Sequence, residues 1–531
     1  MEILIFLIAS YVLFSISLMK VFEKAGEPGW KALVPGLNFI VMSRLVGRKG
    51  AHAAWLLVPI VNIFFFVGLC VDMVRSFGKY SFWHSAIAVI YSPAIFFMLG
   101  AKKEEKYLGP TLALEKEYIA KMEQAKQGNN GREFQKLLRQ NPYKKSPTRE
   151  WAEAIIFAVF AAAFIRMFLI EAYTIPTSSM EGSLKVGDFL FVSKAHYGIR
   201  TPKTVLMLPL LHNRVPIIGG ESYIAEPNLP FYRLPALTPV KRYDPVVFNY
   251  PEGDSVYVFP ERTYSINDFR RGAMTPDRYM QVKSGQAELV CRPIDKKDHY
   301  IKRCMGLPGD SLQVKARQVY INGEPAKNAR NMQFRYIVSS ASGAINMSKL
   351  EEWGVNLAPT ECSPADGIFH LNAEQVEKIK SLGPDIHVEV DPRQNMPNLN
   401  LFPHDPAHFP GWTVDNYGPV YIPKKGATVA ISPANISLYE RIITIYEGNK
   451  LEVKEGKIFI NGEVATTYTF KMSYYWMMGD NRHNSEDSRV WGFVPEDHIV
   501  GKPLFIWFST KNGNMFNGIN WGRIFTSANK M

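Results

Sequence analysis

The chain has 531 residues, of which 47% are hydrophobic, and a formal net charge of +12 at pH 7. This length is sufficient for two or more domains. A positive charge would suit a nucleic-acid-binding protein. However, the basic residues form no single helical stripe and many of them flank apolar runs, which favours a membrane as the partner instead of nucleic acid.

The four cysteines exclude some architectures. They form no CxxC pair, so the sequence predicts no zinc site. Cys70 lies inside an apolar run, and the remaining three are Cys291, Cys304 and Cys362. Three is an odd number, so at most one disulfide is expected among them, and the sequence does not say which pair would form it.

Four apolar runs predict transmembrane helices, over residues 3–19, 53–74, 83–99 and 151–170. A cleaved signal peptide is the alternative for the first run. It lacks a positively charged start and a small-x-small cleavage site, so a retained helix is predicted. The fourth run has the length of about twenty residues that a span requires. The piece from Trp30 to Leu45, broken by Pro35 and Gly36, is predicted to lie at the membrane interface.

The basic segments 20–52 and 101–150 indicate the orientation, because such loops stay on the cytoplasmic side. The chain after residue 172 is therefore predicted to lie outside the cytoplasmic membrane. Segment 101–150 is interpreted as a solvated linker in which residues 112–127 form a helix and residues 128–131 a break.

The part after residue 172 is predicted to be rich in β-structure, because short β-favouring runs alternate with Gly, Pro and Asp. Residues 310–326 and 449–465 resemble each other, and each predicts a hairpin followed by an Asn-Gly turn. Residues 327–425 between them are interpreted as a subdomain or cap with a helix near Ala373–Leu382. The β-favouring runs are Asp188–Ser193, Pro245–Tyr250, Gln313–Lys315 and Ala427–Ser432.

Polar residues in two segments suggest covalent catalysis. Thr177, Ser178 and Ser179 form a hydroxyl-rich turn after Pro176, directly beyond the fourth apolar run, and a serine held on such a turn is a candidate nucleophile. A serine nucleophile needs a base that accepts its proton. A lysine can serve when burial lowers its pKa. Lys302 lies in a predicted strand in which alternation places it on the same face as Tyr300.

Three segments together closely resemble the bacterial type I signal peptidases (leader peptidases), which are membrane-bound serine proteases with a Ser–Lys pair. The resemblance covers the fourth apolar run and most of 173–325 and 425–525. The first hundred residues lie outside the core family pattern, and the insert between the two hairpins is long. The matching motifs are Ile175-Pro-Thr-Ser-Ser-Met180 with Gly187-Asp188, Tyr300-Ile-Lys-Arg303 with Gly306-Leu-Pro-Gly-Asp310, and Gly479-Asp-Asn481 with Asn484-Ser485 and Asp487-Ser-Arg489.

The resemblance implies a role for each matching position. Ser179 is the nucleophile, Lys302 the general base, and Thr177 supplies the oxyanion-hole hydroxyl beside the Ser179 backbone N–H. Ser485 orients the lysine, and His483 stands where the family usually has an acidic residue. A charged network supports the site, formed by Asp480, Asp487, Arg489 and Arg303. The walls of shallow pockets for small substrate residues are Ile175, Met180, Leu184, Tyr300 and Ile301.

We therefore expect a membrane-anchored, mainly-β protein with N-terminal transmembrane helices and an extracytoplasmic catalytic domain that carries a long insert. Residues 1–100 are predicted to hold three helices, 101–150 a cytoplasmic linker and 151–172 the anchor. The catalytic domain takes 173–326 and 426–531, and the insert 327–425. The expected activity is removal of signal peptides from exported preproteins at a bacterial inner membrane, without metal or cofactor. The expected partners are those signal peptides, the lipid bilayer and the export machinery.

Three alternatives stay open. A Ser-His-Asp hydrolase could use His299 or His483 as its base. A self-cleaving repressor would share the Ser–Lys chemistry but needs a DNA-binding module, where this chain has apolar runs. A non-catalytic membrane scaffold would use its β-domain only to bind peptides, and the presence of both Ser179 and Lys302 argues against it.

Overall fold

The structure, a computed structural model, describes residues 2–58, 61–128, 130–216, 220–260, 262–341, 345–358, 361–397 and 400–529. The chain forms two compact units, Met1–Ala158 and Val159–Met531. The finer domain boundaries expected from the sequence stay predictions.

The first unit is helical. Side chains of its first and fourth helices are fully buried against each other, among them Leu18, Phe22, Phe96 and Leu99. The Lys24 ammonium donates 2.6 Å to the carbonyl of Leu99 and so satisfies a free acceptor near a helix end. The helices are α1 (Glu2–Lys24), α2 (Leu37–Leu45), α3 (Val61–Arg75), α4 (Phe82–Ala101), α5 (Thr111–Gln127), α6 (Gly131–Gln140) and α7 (Pro147–Phe168), of which α7 continues into the second unit.

Two helices in the described part of the chain are long and apolar enough to cross a membrane, α4 with 20 residues and α7 with 22. The run 53–74 is not one helix. It divides into a 3-10 helix, Gly50–Leu57, and the 15-residue α3, which is shorter than the roughly twenty residues that a span needs. The number of spans before residue 101 therefore stays a prediction. The expected helix in the linker is confirmed by α5.

The second unit is mainly β. It also contains short helices: α8 (Ile266–Arg271), α9 (Pro276–Lys283), α10 (Met347–Glu352), α11 (Ala373–Lys380), α12 (Ile436–Arg441) and α13 (Ser488–Trp491). Its strands are β1 (Ile170–Thr174), β2 (Asp188–Ser193), β3 (Thr204–Met207), β4 (Tyr223–Asn228), β5 (Pro245–Asn249), β6 (Ser255–Val258), β7 (Thr263–Ser265), β8 (Leu289–Cys291), β9 (His299–Gly306), β10 (Ser311–Lys315), β11 (Gln318–Ile321), β12 (Glu324–Pro325), β13 (Phe334–Ser340), β14 (Ile368–Leu371), β15 (Ile386–Val390), β16 (Tyr417–Tyr421), β17 (Thr428–Ala430), β18 (Leu451–Lys454), β19 (Lys457–Ile460), β20 (Glu463–Val464), β21 (Thr467–Thr469), β22 (Tyr474–Met478), β23 (Val494–Pro495) and β24 (Ile499–Ser509).

A seven-stranded antiparallel sheet in the order β1-β2-β24-β5-β9-β22-β23 organises the second unit. Strand β9 lies inside this sheet between β5 and β22, and its last five residues are buried. The second unit also contains smaller sheets in the orders β12-β11-β10-β16, β14-β13-β15, β18-β19-β20, β7-β6-β8, β3-β4 and β17-β21. The β-favouring runs are confirmed as strands by β2, β5, β10 and β17.

The two similar sequence segments form the same hairpin. Asn322 and Asn461 both have a φ of 53°, and the glycine that follows each has a φ of 89°, a left-handed pair typical of tight Asn-Gly turns. Asn322 Oδ1 accepts from the Ser311 amide at 2.8 Å, and Asn461 Oδ1 from the Lys450 amide at 2.9 Å. Both hairpins bury apolar residues in one core. The similarity of residues 310–326 and 449–465 therefore corresponds to a repeated local structure.

The insert has a core of its own. Strands β13, β14 and β15 pack with α10 and α11 around buried residues that include Val338, Leu350 and Phe369. Helix α11 begins with a capping box in which Asn372 and Gln375 bond each other's backbone, which favours a helix start there. The helix expected near Ala373–Leu382 is confirmed.

Candidate active site

Ser179 lies in a short 3-10 turn, Ser178–Met180, that follows β1. We call residues 177–182 the Ser179 turn. The turn is closed by a backbone bond from the Gly187 amide to the Ile175 carbonyl at 3.0 Å. Met180 is fully buried and Ser179 is 9% exposed. The serine is therefore held on a constrained, largely enclosed turn.

Lys302 approaches this turn from β9. Its partner in β5 is Val246, and the lysine side chain lies on the same side of the strand as Tyr300, with Nζ 5.4 Å from the centre of that ring. Nζ donates to Ser179 Oγ at 2.8 Å and to the carbonyl of Ile301 at 3.0 Å. The structure thus brings together the two residues that the sequence predicted as nucleophile and base.

Burial changes the basicity of this lysine. Lys302 is 3% exposed, and removal of its charged form from water lowers its pKa from 10.5 to about 8. The nearby carboxylates of Asp487, Glu486 and Asp480 oppose this shift, because they favour the ammonium form. A lysine with this pKa has a neutral fraction near physiological pH and can accept a proton from a hydroxyl.

The Thr177 hydroxyl lies beside the serine. Its Oγ1 is 3.5 Å from Ser179 Oγ. Thr177 has an extended backbone (φ −128°, ψ 155°) immediately before the 3-10 turn. A hydroxyl in this place can donate to an oxygen that becomes negative during attack by the serine.

The loop 479–487, which follows β22, supports the Ser179 turn from its backbone side. The Asn481 amide donates to the Ser179 carbonyl at 3.1 Å. A Cβ on Gly479 would lie 2.5 Å from that same carbonyl oxygen and 2.2 Å from Ser485 Oγ. Only glycine fits here, since real side-chain carbons do not approach other atoms so closely.

Two buried ion pairs fix this loop. Asp480 accepts from Arg303 Nε at 2.8 Å and Nη2 at 2.6 Å, and both side chains are 1% exposed. The Ser183 hydroxyl also donates to Asp480 at 2.6 Å. Asp487 pairs with Arg489 at 2.7 Å and accepts from the Gly479 amide. The pairing lowers the pKa of Asp487 although burial opposes this. The four residues predicted as a charged network therefore form two pairs.

Ser485 differs from its expected arrangement. Its Oγ is buried and has no hydrogen-bond partner in the described part of the chain. Lys302 donates to Ser179 and to the Ile301 carbonyl instead. The role of Ser485 in orienting the lysine stays a prediction.

The predicted pocket residues divide between two apolar clusters. Ile175, Met180 and Leu184 are buried in one cluster, and Ile301 packs against it. Tyr300 lies against the other cluster, with its ring 4.7 Å from Tyr250 and 5.3 Å from the Trp491 ring. Four of the five residues therefore share one apolar cluster, and the role of all five as pocket walls stays a prediction.

The two histidines of the rival hydrolase have other partners. His483 Nε2 lies 2.7 Å from Asp415 Oδ1, and its Nδ1 accepts from the Arg335 amide at 3.1 Å. His299 lies with its ring 4.9 Å from Tyr173. Burial lowers the pKa of both histidines. Neither forms a hydrogen bond with Ser179 in the residues that the structure describes.

The structure adds residues that the sequence did not single out. Ser183 joins the ion pair of Asp480 with Arg303. Glu361 of the insert accepts hydrogen bonds from Ser178 and Asn484. Spacing could not reveal Glu361, because it lies 183 positions from Ser178 in the chain.

No group of three or more His, Cys, Asp or Glu residues that could hold a metal occurs in the described ranges. All four cysteines are free. No disulfide therefore forms among Cys291, Cys304 and Cys362.

Comparison with known proteins agrees with this geometry. The sequence model of the family described as "Signal peptidase, peptidase S26" matches residues 148–353 and 464–508. A family of unknown function, DUF5684, matches residues 30–110. The chain is 24% identical to the signal peptidase I of Haemophilus influenzae over 397 residues, which are 74% of this chain and 80% of the relative.

Two further relatives give the same result. Signal peptidase I of Buchnera aphidicola subsp. Schizaphis graminum is 26% identical over 377 residues, 70% of this chain and 78% of that protein. Signal peptidase I of Pseudomonas aeruginosa is 23% identical over 386 residues, 71% of this chain and 78% of that protein. The matched residues include Ser179, Lys302 and the loop 479–487. The chain is therefore similar to the signal peptidase family, peptidase S26, over residues 148–353 and 464–508.

Proposed function

We propose that this protein is a membrane-bound serine endopeptidase that removes N-terminal signal peptides from exported preproteins, with Ser179 as nucleophile and Lys302 as general base. The observation that carries the proposal is the 2.8 Å contact between Lys302 Nζ and Ser179 Oγ. Serine and lysine in contact inside an apolar site are a known variant of the serine-protease arrangement.

The proposed reaction follows from this contact. Neutral Lys302 accepts the hydroxyl proton of Ser179 while Oγ attacks the carbonyl carbon of the scissile bond. The carbonyl oxygen becomes an oxyanion, to which the Thr177 hydroxyl and the Ser179 backbone N–H donate. Lys302 then returns its proton to the leaving amine, and the signal peptide stays attached as an ester. Lys302 next takes a proton from water, which hydrolyses the ester and restores the serine.

The substrate proposal is supported by the surroundings of Ser179. Ile175, Met180, Leu184 and Ile301 lie close together beside the turn, and the family resemblance assigns them to shallow pockets for small side chains at the −1 and −3 positions of a signal peptide. An extended substrate segment can add its backbone to exposed strand groups, while alternate side chains enter such pockets. Tyr300 is assigned to a pocket wall by the family resemblance.

The proposed membrane placement rests on α4 and α7. No residue of the apolar window in α7 is buried in the protein, and its exposed apolar side chains include Trp151, Phe157 and Phe160. Large apolar surfaces of this kind favour contact with lipid. Strand β1 begins two residues after α7 ends, so a spanning α7 would hold Ser179 near the bilayer surface, where signal peptides end.

In the proposed topology, the basic segments 20–52 and 101–150 lie in the cytoplasm of a bacterium, and the β-rich part lies on the other side of the inner membrane. Two buried ion pairs keep the site rigid, formed by Asp480 with Arg303 and by Asp487 with Arg489. Ser485 orients the Lys302 side chain during the reaction. Contact with the protein export machinery would bring preproteins to this site.

A processing assay tests the proposed function. The full-length protein, purified in detergent, is incubated with a preprotein beside the variants Ser179→Ala and Lys302→Ala, and the product's N-terminus is determined by mass spectrometry. We expect the wild type to cleave after a small residue and the Ser179→Ala and Lys302→Ala variants not to cleave. The control Lys457→Ala, at an exposed lysine of β19, should be as active as the wild type. A wild-type protein that binds the preprotein but does not process it would support the scaffold. Full activity of Lys302→Ala would exclude the lysine base.

A further inference from the structure

The insert contacts the Ser179 turn at three places. Asn331 Nδ2 donates to the Gly182 carbonyl at 3.2 Å, and Asn356 Nδ2 donates to the Glu181 carboxylate at 3.1 Å. The Ser178 hydroxyl donates to Oε2 of Glu361. The third contact is the one next to Ser179 in sequence, so it can transmit the position of the insert directly to the proposed nucleophile.

The Glu361 carboxylate also reaches the loop 479–487. Asn484 Nδ2 donates to the same Oε2 atom at 2.6 Å and to Ser178 Oγ at 3.0 Å. Ser178 immediately precedes Ser179, and Asn484 immediately precedes Ser485. One oxygen of the insert therefore joins the Ser179 turn to the loop that supports it.

This oxygen is well placed for such a role. The backbone carbonyl of Glu361 lies 2.7 Å from Nδ1 of His370, a residue of β14 in the insert sheet. Hydrogen bonds to a carboxylate are shorter and stronger than those between neutral groups. Ser178 is 3% exposed, so water does not easily replace a lost acceptor, and an unpaired buried hydroxyl is costly.

We propose that Glu361 is a positioning residue that sets the geometry of Ser179 against Lys302 through Ser178 and Asn484, so that the insert is a working part of the active site. This inference rests on the proposed function. It assigns a role to a residue that lies between the two stretches matched by the family model, and it gives the Ser178 hydroxyl a role in placing Ser179.

The experiment measures kcat and KM of the full-length protein on a signal-peptide substrate for Glu361→Ala, Glu361→Gln, Ser178→Ala and the double variant of Glu361→Ala with Ser178→Ala. For Glu361→Ala we expect kcat to fall by about 10- to 100-fold with little change in KM, because a slightly misplaced catalytic group has this cost. Glu361→Gln should recover most of the loss, since both donors use one oxygen and the amide carbonyl can replace it. The double variant should lose no more than the larger single loss, as expected for residues that act through one contact.

The matched control is Glu389→Ala, at an exposed glutamate of β15 in the same insert sheet, which should keep the wild-type kcat. Wild-type kcat in Glu361→Ala, beside an inactive Ser179→Ala, would overturn this inference and leave the proposed function intact. An inactive wild-type protein would overturn both. If thermal unfolding shows that Glu361→Ala does not fold, Ser178→Ala decides: reduced kcat supports the inference and full activity overturns it.

Discussion

Nζ of Lys302 lies 2.8 Å from Oγ of Ser179, although 123 positions separate the two residues in the chain. One residue follows an edge strand and the other lies in an interior strand of the same sheet. The contact requires Lys302 to be buried, and this burial also makes it a weaker base than a surface lysine.

The activity should depend on pH through Lys302. Only the neutral amine accepts a proton, so kcat/KM should rise with pH and level off above the pKa of about 8. The measurement is kcat/KM on a peptide substrate from about pH 6 to about pH 10. Replacement of Glu486 by Gln removes a charge that raises the pKa of Lys302, so the midpoint should move to lower pH. A profile that is flat or falls through this range would contradict the lysine base.

The same pKa predicts a stability effect. The unfolded lysine keeps its pKa near 10.5 and the folded one has a pKa of about 8. Between these values the unfolded state binds more protons, so the free energy of unfolding gains a contribution that rises with pH. Urea unfolding of the wild type and of Lys302→Met at several pH values should differ in this window, with a smaller rise in the variant. An equal rise in both proteins would show that Lys302 does not titrate this way.

Thr177→Val should reduce kcat by about 10²- to 10³-fold, the effect of losing one oxyanion donor. The substitution keeps the size and branching of the side chain but removes the hydroxyl that lies 3.5 Å from Ser179 Oγ. Thr177→Ser is the control and should retain most of the activity. Equal kcat values for wild type and Thr177→Val would show that the Thr177 hydroxyl does not stabilise the oxyanion.

Gly479→Ala adds only one methyl group but should clearly reduce kcat. The new Cβ would lie 2.5 Å from the Ser179 carbonyl, so the Ser179 turn must move, and we expect kcat to fall at least about tenfold. Gly411→Ala is the matched control, because a Cβ there meets no atom within 4 Å. Unchanged kcat in Gly479→Ala would mean that the turn and loop can separate without affecting the reaction.

Loss of the Asp480 carboxylate should destabilise the second unit. Asp480→Ala removes the carboxylate that neutralises the buried guanidinium of Arg303, which costs about 3–5 kcal/mol of unfolding free energy. Glu374→Ala removes an exposed partner of Lys378 in α11 and should cost far less, because water screens an exposed pair. Urea unfolding followed by tryptophan fluorescence measures both. Equal, small losses would show that the Arg303 pair contributes no more than a surface pair.

The proposed topology can be tested with a native cysteine. Cys291 is exposed, whereas Cys70 and Cys304 are buried. A membrane-impermeant maleimide added to intact spheroplasts should therefore label the wild type and give a much weaker signal with Cys291→Ser. Labelling of Cys291 only after the membrane is broken would place the β-rich part in the cytoplasm and contradict the proposal.

Local patterns were sufficient for several elements. The helix α5, the helix α11 and strand β2 follow from short-range periodicity and capping, and the paired hairpins follow from their Asn-Gly turns. The alternation of β9 correctly placed Lys302 and Tyr300 on one face. The run 53–74 was harder, because average hydropathy does not reveal that a 3-10 helix replaces its first part.

The sequence by itself determined the secondary structure around the site and, through its motifs, the candidates Ser179, Lys302 and Thr177. Only the tertiary structure decided which side chains meet. In it, His483 contacts Asp415, and the Ser485 hydroxyl has no hydrogen bond among the described residues. It also shows that the Ser178 hydroxyl donates to Glu361 of the insert. The physical reason is that helices, strands and turns depend on residues a few positions apart, whereas burial and hydrogen bonding in a site depend on the packing of distant segments.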